Sequence, residues 1–188
     1  DSLAEAIRSF LYACAVRKLR GQGSKHSSML VHVTRFSSVQ NAVVNQVAEY
    51  VRDLKGRYTR GIELAALEAS MRKEYENTFR PGMQGIRSAL VEGETLEDFS
   101  WEDIRTVIPD ILSDIRVREI NGTAKDALDY AENDGTGLKV IAIGGDKLAR
   151  GLTLEGLCTS YFLRTARMYD TLMQMGRWFG YRDGYLDV

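Results

Sequence analysis

At 188 residues, with 44% apolar residues and two prolines, the chain can bury one good core and is most simply a single domain. Its net charge of −1, the absence of any run of eighteen apolar residues and the absence of a basic, apolar, small-residue leader exclude a disordered tail, a membrane span and a signal peptide, so a soluble cytoplasmic protein with no membrane partner is expected. Cys14 and Cys158 stand alone, without metal-ligand spacing, which excludes a disulfide framework and a zinc site and leaves two small core residues; no metal ligands are assigned.

The charge is unevenly spread. Residues 1 to 60 carry ten Lys/Arg against four Asp/Glu, residues 61 to 136 eight against seventeen, and residues 137 to 188 seven against five. A positive working surface built from the two ends, with an acidic block facing elsewhere, follows from that alternation. The chain opens on Asp1 without Met and is expected to be a fragment of something longer.

Leu3, Ile7, Phe10 and Cys14 recur at helical spacing, predicting an amphipathic helix over 2–20 that stops at Gly21-Gln22-Gly23-Ser24. Residues 28–34, SMLVHVT, form a short apolar run with β-branched residues and predict a buried strand with His32 as a core histidine. Its polar end, Thr34-Arg35-Phe36-Ser37, lies where parallel α/β sheets place their ligands. Val43, Val47, Val51 and Leu54 predict a helix over 39–55, ended by Gly56. Residues 57–115 break this rhythm and are read as an acidic helical insertion. It holds a helix over 62–77, connections at Pro81-Gly82 and Glu92 to Asp98, and a second helix from Trp101 to about Ile115. That helix starts from a Ser100 to Asp103 capping box and is expected to kink or split at Pro109.

The α/β rhythm then resumes. A strand is predicted over 116–121, a short helix over 125–132, a turn cluster over 133–137 and the clearest buried strand, LKVIAI, over 138–143. A glycine-rich loop from Gly144 to Gly151 follows, then a strand over 159–163 and a helix over about 169–178. Four or more strands alternating with helices predict a mostly parallel sheet covered on both faces. In such a sheet the polar strand ends at Thr34-Arg35, Gly144 to Gly151 and Arg164 point the same way. An Arg beside Gly in a tight turn can offer its fork to phosphate oxygens.

No lysine-bearing phosphate loop and no acidic strand end that could hold a magnesium ion occurs in these 188 residues, so they do not make a complete P-loop ATPase. Nor is there a His-Glu-x-x-His motif, a Gly-x-Ser-x-Gly elbow or an Asp/Glu-x-Lys nuclease triplet. Arginines without a base or nucleophile suggest one wall of a shared site.

The run DKLARGLT resembles motif V of superfamily 2 helicases, and QMGRWFGYR resembles motif VI, with SMLVHVTRF in the place of motif IV and EINGTA in the strand and loop that follow the second helix. The whole of GGDKLARGLTLEGL, SYFLR and YDTLMQMGRWFGYR is similar to the Z1 domain family, bacterial proteins associated with helicase-like ATPases and often labelled endonuclease-like. The resemblance implies a three-layer RecA-like fold spanning 1–188, the second, carboxyl-terminal lobe of a two-lobed motor. Its substrate would be ATP with Mg²⁺, held only together with an N-terminal lobe outside these residues. Its partners would be DNA or RNA and that N-terminal lobe, in a restriction or defence setting.

By the same resemblance, Arg182 or Arg177 is the arginine finger. The two stand five apart where the helicase pattern has three, and Arg182 is the first choice. Gly151, Thr153, Asp146, Arg150 and Gln174 would contact nucleotide, with Thr153 standing where the DEAD-box form has Asp. Thr34, Arg35, Ser37, Gly144 and Gly145 would contact the nucleic-acid backbone. Two other classes stay open: a non-catalytic DNA- or protein-binding module, and a nuclease domain.

Overall fold

Four strands pair into one sheet in the computed structural model of the chain, which describes residues 2–33, 37–89, 96–120, 130–133, 135–145 and 154–163. The described elements are α1 (Ser2–Arg17), β1 (Ser27–His32), α2 (Ser37–Arg60), α3 (Leu64–Glu74), α4 (Arg80–Ala89), α5 (Trp101–Asp114), β2 (Ile115–Ile120), β3 (Lys139–Gly144) and β4 (Leu157–Phe162). All strand pairs are parallel, in the order β2-β3-β1-β4. The expected α/β class with a parallel sheet is therefore present, with strand boundaries shifted by one or two residues.

Both faces of the two central strands are buried, which is why they read as unbroken apolar runs and not as alternating ones. On one face Met29, Val31, Val33, Ile141 and Ile143 join a core with α1, α2 and α5, and Met71 of α3 and Met83 of α4 reach the same core. On the other, Leu30, Ala142 and Ile120 pack with Leu154, Leu157 and Phe162. The helix expected over 125–132 lies mostly outside the described residues, with a turn and a short 3₁₀ segment at 130–133. The one expected over 169–178 lies outside them entirely.

The first helix is more than amphipathic: every residue from Phe10 to Arg17 is buried. Its outer side is covered by an aromatic cluster in which the Tyr12 ring meets those of Tyr75 and Phe79 edge-on at 5.5 Å and that of Trp101 at 6.4 Å. The Tyr12 hydroxyl donates to the Met71 carbonyl (3.1 Å) and the Tyr75 hydroxyl to that of Phe99 (2.8 Å), so neither phenol is buried without a partner. Burial pushes the Tyr75 phenol up to about 12. Residues 64–114 thus share one core with α1.

Three expectations about breaks are corrected. The helix predicted to stop at Gly56 runs on to Arg60, braced by the Asp53 to Arg57 pair at 2.9 Å, and the stop falls at Gly61, whose φ of 68° is left-handed. Pro81-Gly82 is not a connection but lies in the first turn of α4, directly after a wide π-type turn over Tyr75–Phe79, where a residue without an N–H is tolerated. Pro109 does not split α5. Ile104, Ile108, Ile111 and Leu112 anchor the helix into the core on both sides of the proline, and the predicted capping box is formed at Ser100.

The turn cluster after the acidic block forms as expected, with Gly135 and Gly137 at φ 89° and 77°. A Cβ on Gly137 would stand 2.6 Å from the Lys25 carbonyl oxygen. Only glycine fits there.

Candidate functional site at the carboxyl end of the sheet

β1 and β2, and likewise β3 and β4, follow each other in the chain without being neighbours in the sheet, and that decides where a ligand can sit. The chain leaves β1 through α2, which packs over β2 and β3, and pairs β2 beyond β3. From β3 it goes to the other side of β1 and forms β4. In strand order the chain thus moves one way after β1 and the other way after β3, which makes their carboxyl ends a topological switch point of the kind where open α/β sheets bind ligands.

Gly144 is the last residue of β3, level with His32, and its carbonyl accepts from the Val33 amide at 2.9 Å, while the Leu163 amide donates to the His32 carbonyl at 2.9 Å. The carboxyl ends of β3, β1 and β4 are thereby fixed side by side. Gly145 follows and is buried. Helix α2 begins at Ser37, four residues after Val33, so its amino end and unpaired backbone N–H groups lie at this rim. His32 is buried on the second face, its ring 5.6 Å from that of Phe162.

Of the predicted site residues, Gly144, Gly145 and Ser37 are brought to this end of the sheet. Thr34, Arg35, Asp146, Arg150, Gly151, Thr153, Gln174, Arg177 and Arg182 lie outside the described residues. Among the described residues, no three His, Cys, Asp or Glu side chains group as metal ligands, and no helix is long and apolar enough to cross a membrane.

Two polar groupings were not foreseen. On the helical side, Arg8 donates through Nε to Glu74 Oε2 (2.7 Å) and through Nη1 to the Tyr50 hydroxyl (2.6 Å), joining α1, α2 and α3 beside a cleft of about 600 Å³. Burial pushes the Glu74 carboxyl above its usual range, an effect only partly offset by Arg8. At the amino ends of the strands, Arg17 is buried and donates to the His26 carbonyl at 2.7 Å and to the Ser27 hydroxyl. Lys139 is also buried and donates to the carbonyls of Gly23 (3.0 Å) and Gly137 (3.4 Å). Lys139 opens a run of apolar residues and Arg17 lies one helical turn after Cys14, which is the only trace of either in the sequence. Neither cysteine is in a disulfide; Cys14 is a core residue as expected, whereas Cys158 is only half-buried, and burial pushes the Cys14 thiol up to about 12.

The described strands thus define an α/β protein with an all-parallel sheet whose central strand β3 ends on glycine. Within that class the chain belongs to the Z1 domain family, whose model matches residues 2–188. No curated protein and no solved structure matches it.

Proposed function

We propose that this domain is the second RecA-like lobe of a DNA-dependent, helicase-like ATPase, supplying an arginine finger and part of the nucleic-acid track. The observation that supports this reading is the switch point between β1 and β3, because Gly144 and Gly145, which the DKLARGLT run follows in the sequence, end β3 there. In this reading the amino end of α2 and the backbone at Gly145 offer N–H groups suited to phosphate oxygens. The described residues carry no carboxylate cluster, so in this reading Mg²⁺ and most of the ATP contacts belong to an N-terminal lobe.

In the proposed mechanism Arg182, with Arg177 as the second candidate, balances the charge that develops on the transferred phosphoryl group. Asp146, Arg150, Gly151, Thr153 and Gln174 link nucleotide to the track formed by Thr34, Arg35, Ser37, Gly144 and Gly145. Arg182→Ala in the full-length protein is expected to lower DNA-stimulated ATP hydrolysis by about 10³ or more, the scale of a lost arginine finger, with circular dichroism and thermal unfolding unchanged. Normal hydrolysis by both Arg182→Ala and Arg177→Ala would instead favour a non-catalytic binding module, and salt-dependent DNA binding insensitive to either change would be its signature.

A further inference from the structure

At the opposite end of the sheet the segment 23–27, which leads into β1, is joined to residues 135–138, which lead into β3. The Ser27 amide donates to the Leu138 carbonyl at 2.9 Å, and Lys139 Nζ donates to the Gly23 carbonyl at 3.0 Å. Gly137 lies so close to the backbone of Ser24 and Lys25 that a Cβ would not fit. The remaining contact is made by a side chain: the Leu138 amide donates to His26 Nδ1 at 3.0 Å.

Of these contacts only the last depends on a proton near neutrality. An imidazole ordinarily takes up its second proton between about pH 5 and 8. By accepting at Nδ1, His26 is held as the neutral tautomer with its hydrogen on Nε2. A doubly protonated ring has a donor on each nitrogen, and in neither orientation does it offer the Leu138 N–H an acceptor. The surroundings admit the charge at the other nitrogen: the side chain is 14% exposed, and Glu155 Oε2 stands 3.9 Å from Nε2. The other ionisable groups around this joint, among the described residues, are Tyr130, which meets the ring edge-on at 4.9 Å, and Arg17, which donates to the His26 carbonyl. Beyond them lie the exposed Lys25 and the Lys139 ammonium, with Asp114 3.9 Å from it. The charge on a protonated ring can be balanced at Nε2, but the hydrogen bond at Nδ1 cannot be kept.

We propose that His26 is an acid-released clasp, whose protonation frees the Leu138 amide and loosens the turn before β3 from the segment before β1. It lies away from the switch point and does not depend on the motor reading. The test is amide hydrogen exchange of the full-length protein between about pH 5 and 8, expressed as protection relative to the unstructured rate at each pH and read beside the His26 ring-proton resonance. Leu138 protection is expected to fall about fivefold as His26 takes its proton, the scale of one hydrogen bond, while Ile141 in the middle of β3 stays level. In His26→Asn the side-chain oxygen can stand where Nδ1 does and does not titrate, so Leu138 protection should hold level across the range. Glu155→Gln removes the carboxylate beside Nε2, so the His26 titration and the Leu138 transition should move to lower pH together.

A His26 that takes up no proton in this range, or wild-type protection that stays constant while it does, would overturn the clasp. So would a His26→Asn variant that keeps the wild-type pH dependence, or a Leu138 transition that stays in place when Glu155→Gln moves the titration.

Discussion

Asp98 sits on the exposed loop before α5, yet three side chains of α4 converge on it: Arg80 through Nη2 at 2.7 Å, Gln84 at 3.2 Å and Arg87 at 3.4 Å. Partial burial would raise its pKa, but the hydrogen bonds from Arg80 and Gln84 and the two guanidinium charges outweigh that and hold it below the usual 3.8. A carboxyl whose folded value is depressed stabilises the fold above its unfolded value and loses that contribution as pH falls through the folded one. The difference in melting temperature between wild type and Asp98→Asn is therefore expected to be full at neutral pH and to shrink once pH drops below 3.8. A difference that persists unchanged in acid would show that Asp98 acts through packing alone. None of this is readable from spacing, since Arg80 and Asp98 are eighteen residues apart across a loop. The buried cations are hidden for the same reason: Gly23, which receives Lys139, lies 116 residues earlier in the chain. The capping box at Ser100 is legible because both partners lie within one turn.

Two glycines in α2 and just after it show how an element's end is chosen. Gly56 is inside the helix, with open space where a Cβ would stand, whereas Gly61 adopts φ 68°. Sequence alone gives both the same weight as stop signals. The choice falls on Gly61 because Arg57 pairs with Asp53, Tyr58 packs against the core and continuation costs little. The two are expected to respond with opposite sign to the same change. Gly56→Ala should stabilise by about 0.5–1 kcal/mol, since it removes backbone freedom from the unfolded chain, and Gly61→Ala should destabilise by about 1–2 kcal/mol, since a Cβ opposes the left-handed conformation. Urea unfolding of the two variants checks this, and equal signs would refute the assignment of the stop. Pro109 teaches the converse: a proline predicts a break only where the flanking residues lack anchors, and α5 has them on either side.

Across the molecule, the parallel class of the sheet was legible because central strands buried on both faces must be apolar throughout. The switch point follows from strand order, which no local pattern encodes; the sequence shows only that polar residues end each strand. Residues 64–114 illustrate the limit further. Their composition is acidic and their rhythm foreign to the strands, yet Tyr75, Phe79 and Trp101 close over Tyr12 of α1. Replacing residues 64–98 with a flexible Gly/Ser linker is therefore expected to abolish near-ultraviolet circular dichroism and expose dye-binding apolar surface, not to leave a smaller intact domain. Retention of a cooperative melt would show that the α1, α5 and sheet contacts suffice alone.

Strand order also sets a timetable. β1 occupies the middle of the sheet, but its two partners are the last strands described, at 139–144 and 157–162. During synthesis the segment Ser27–His32 emerges more than a hundred residues before either edge it needs, while the helices of 37–114 can already gather on α1. Pairing at such separation is slow, and for that interval the most apolar strand of the amino-terminal half presents two open edges. The centre of the finished sheet is the segment of the nascent chain most in need of shelter.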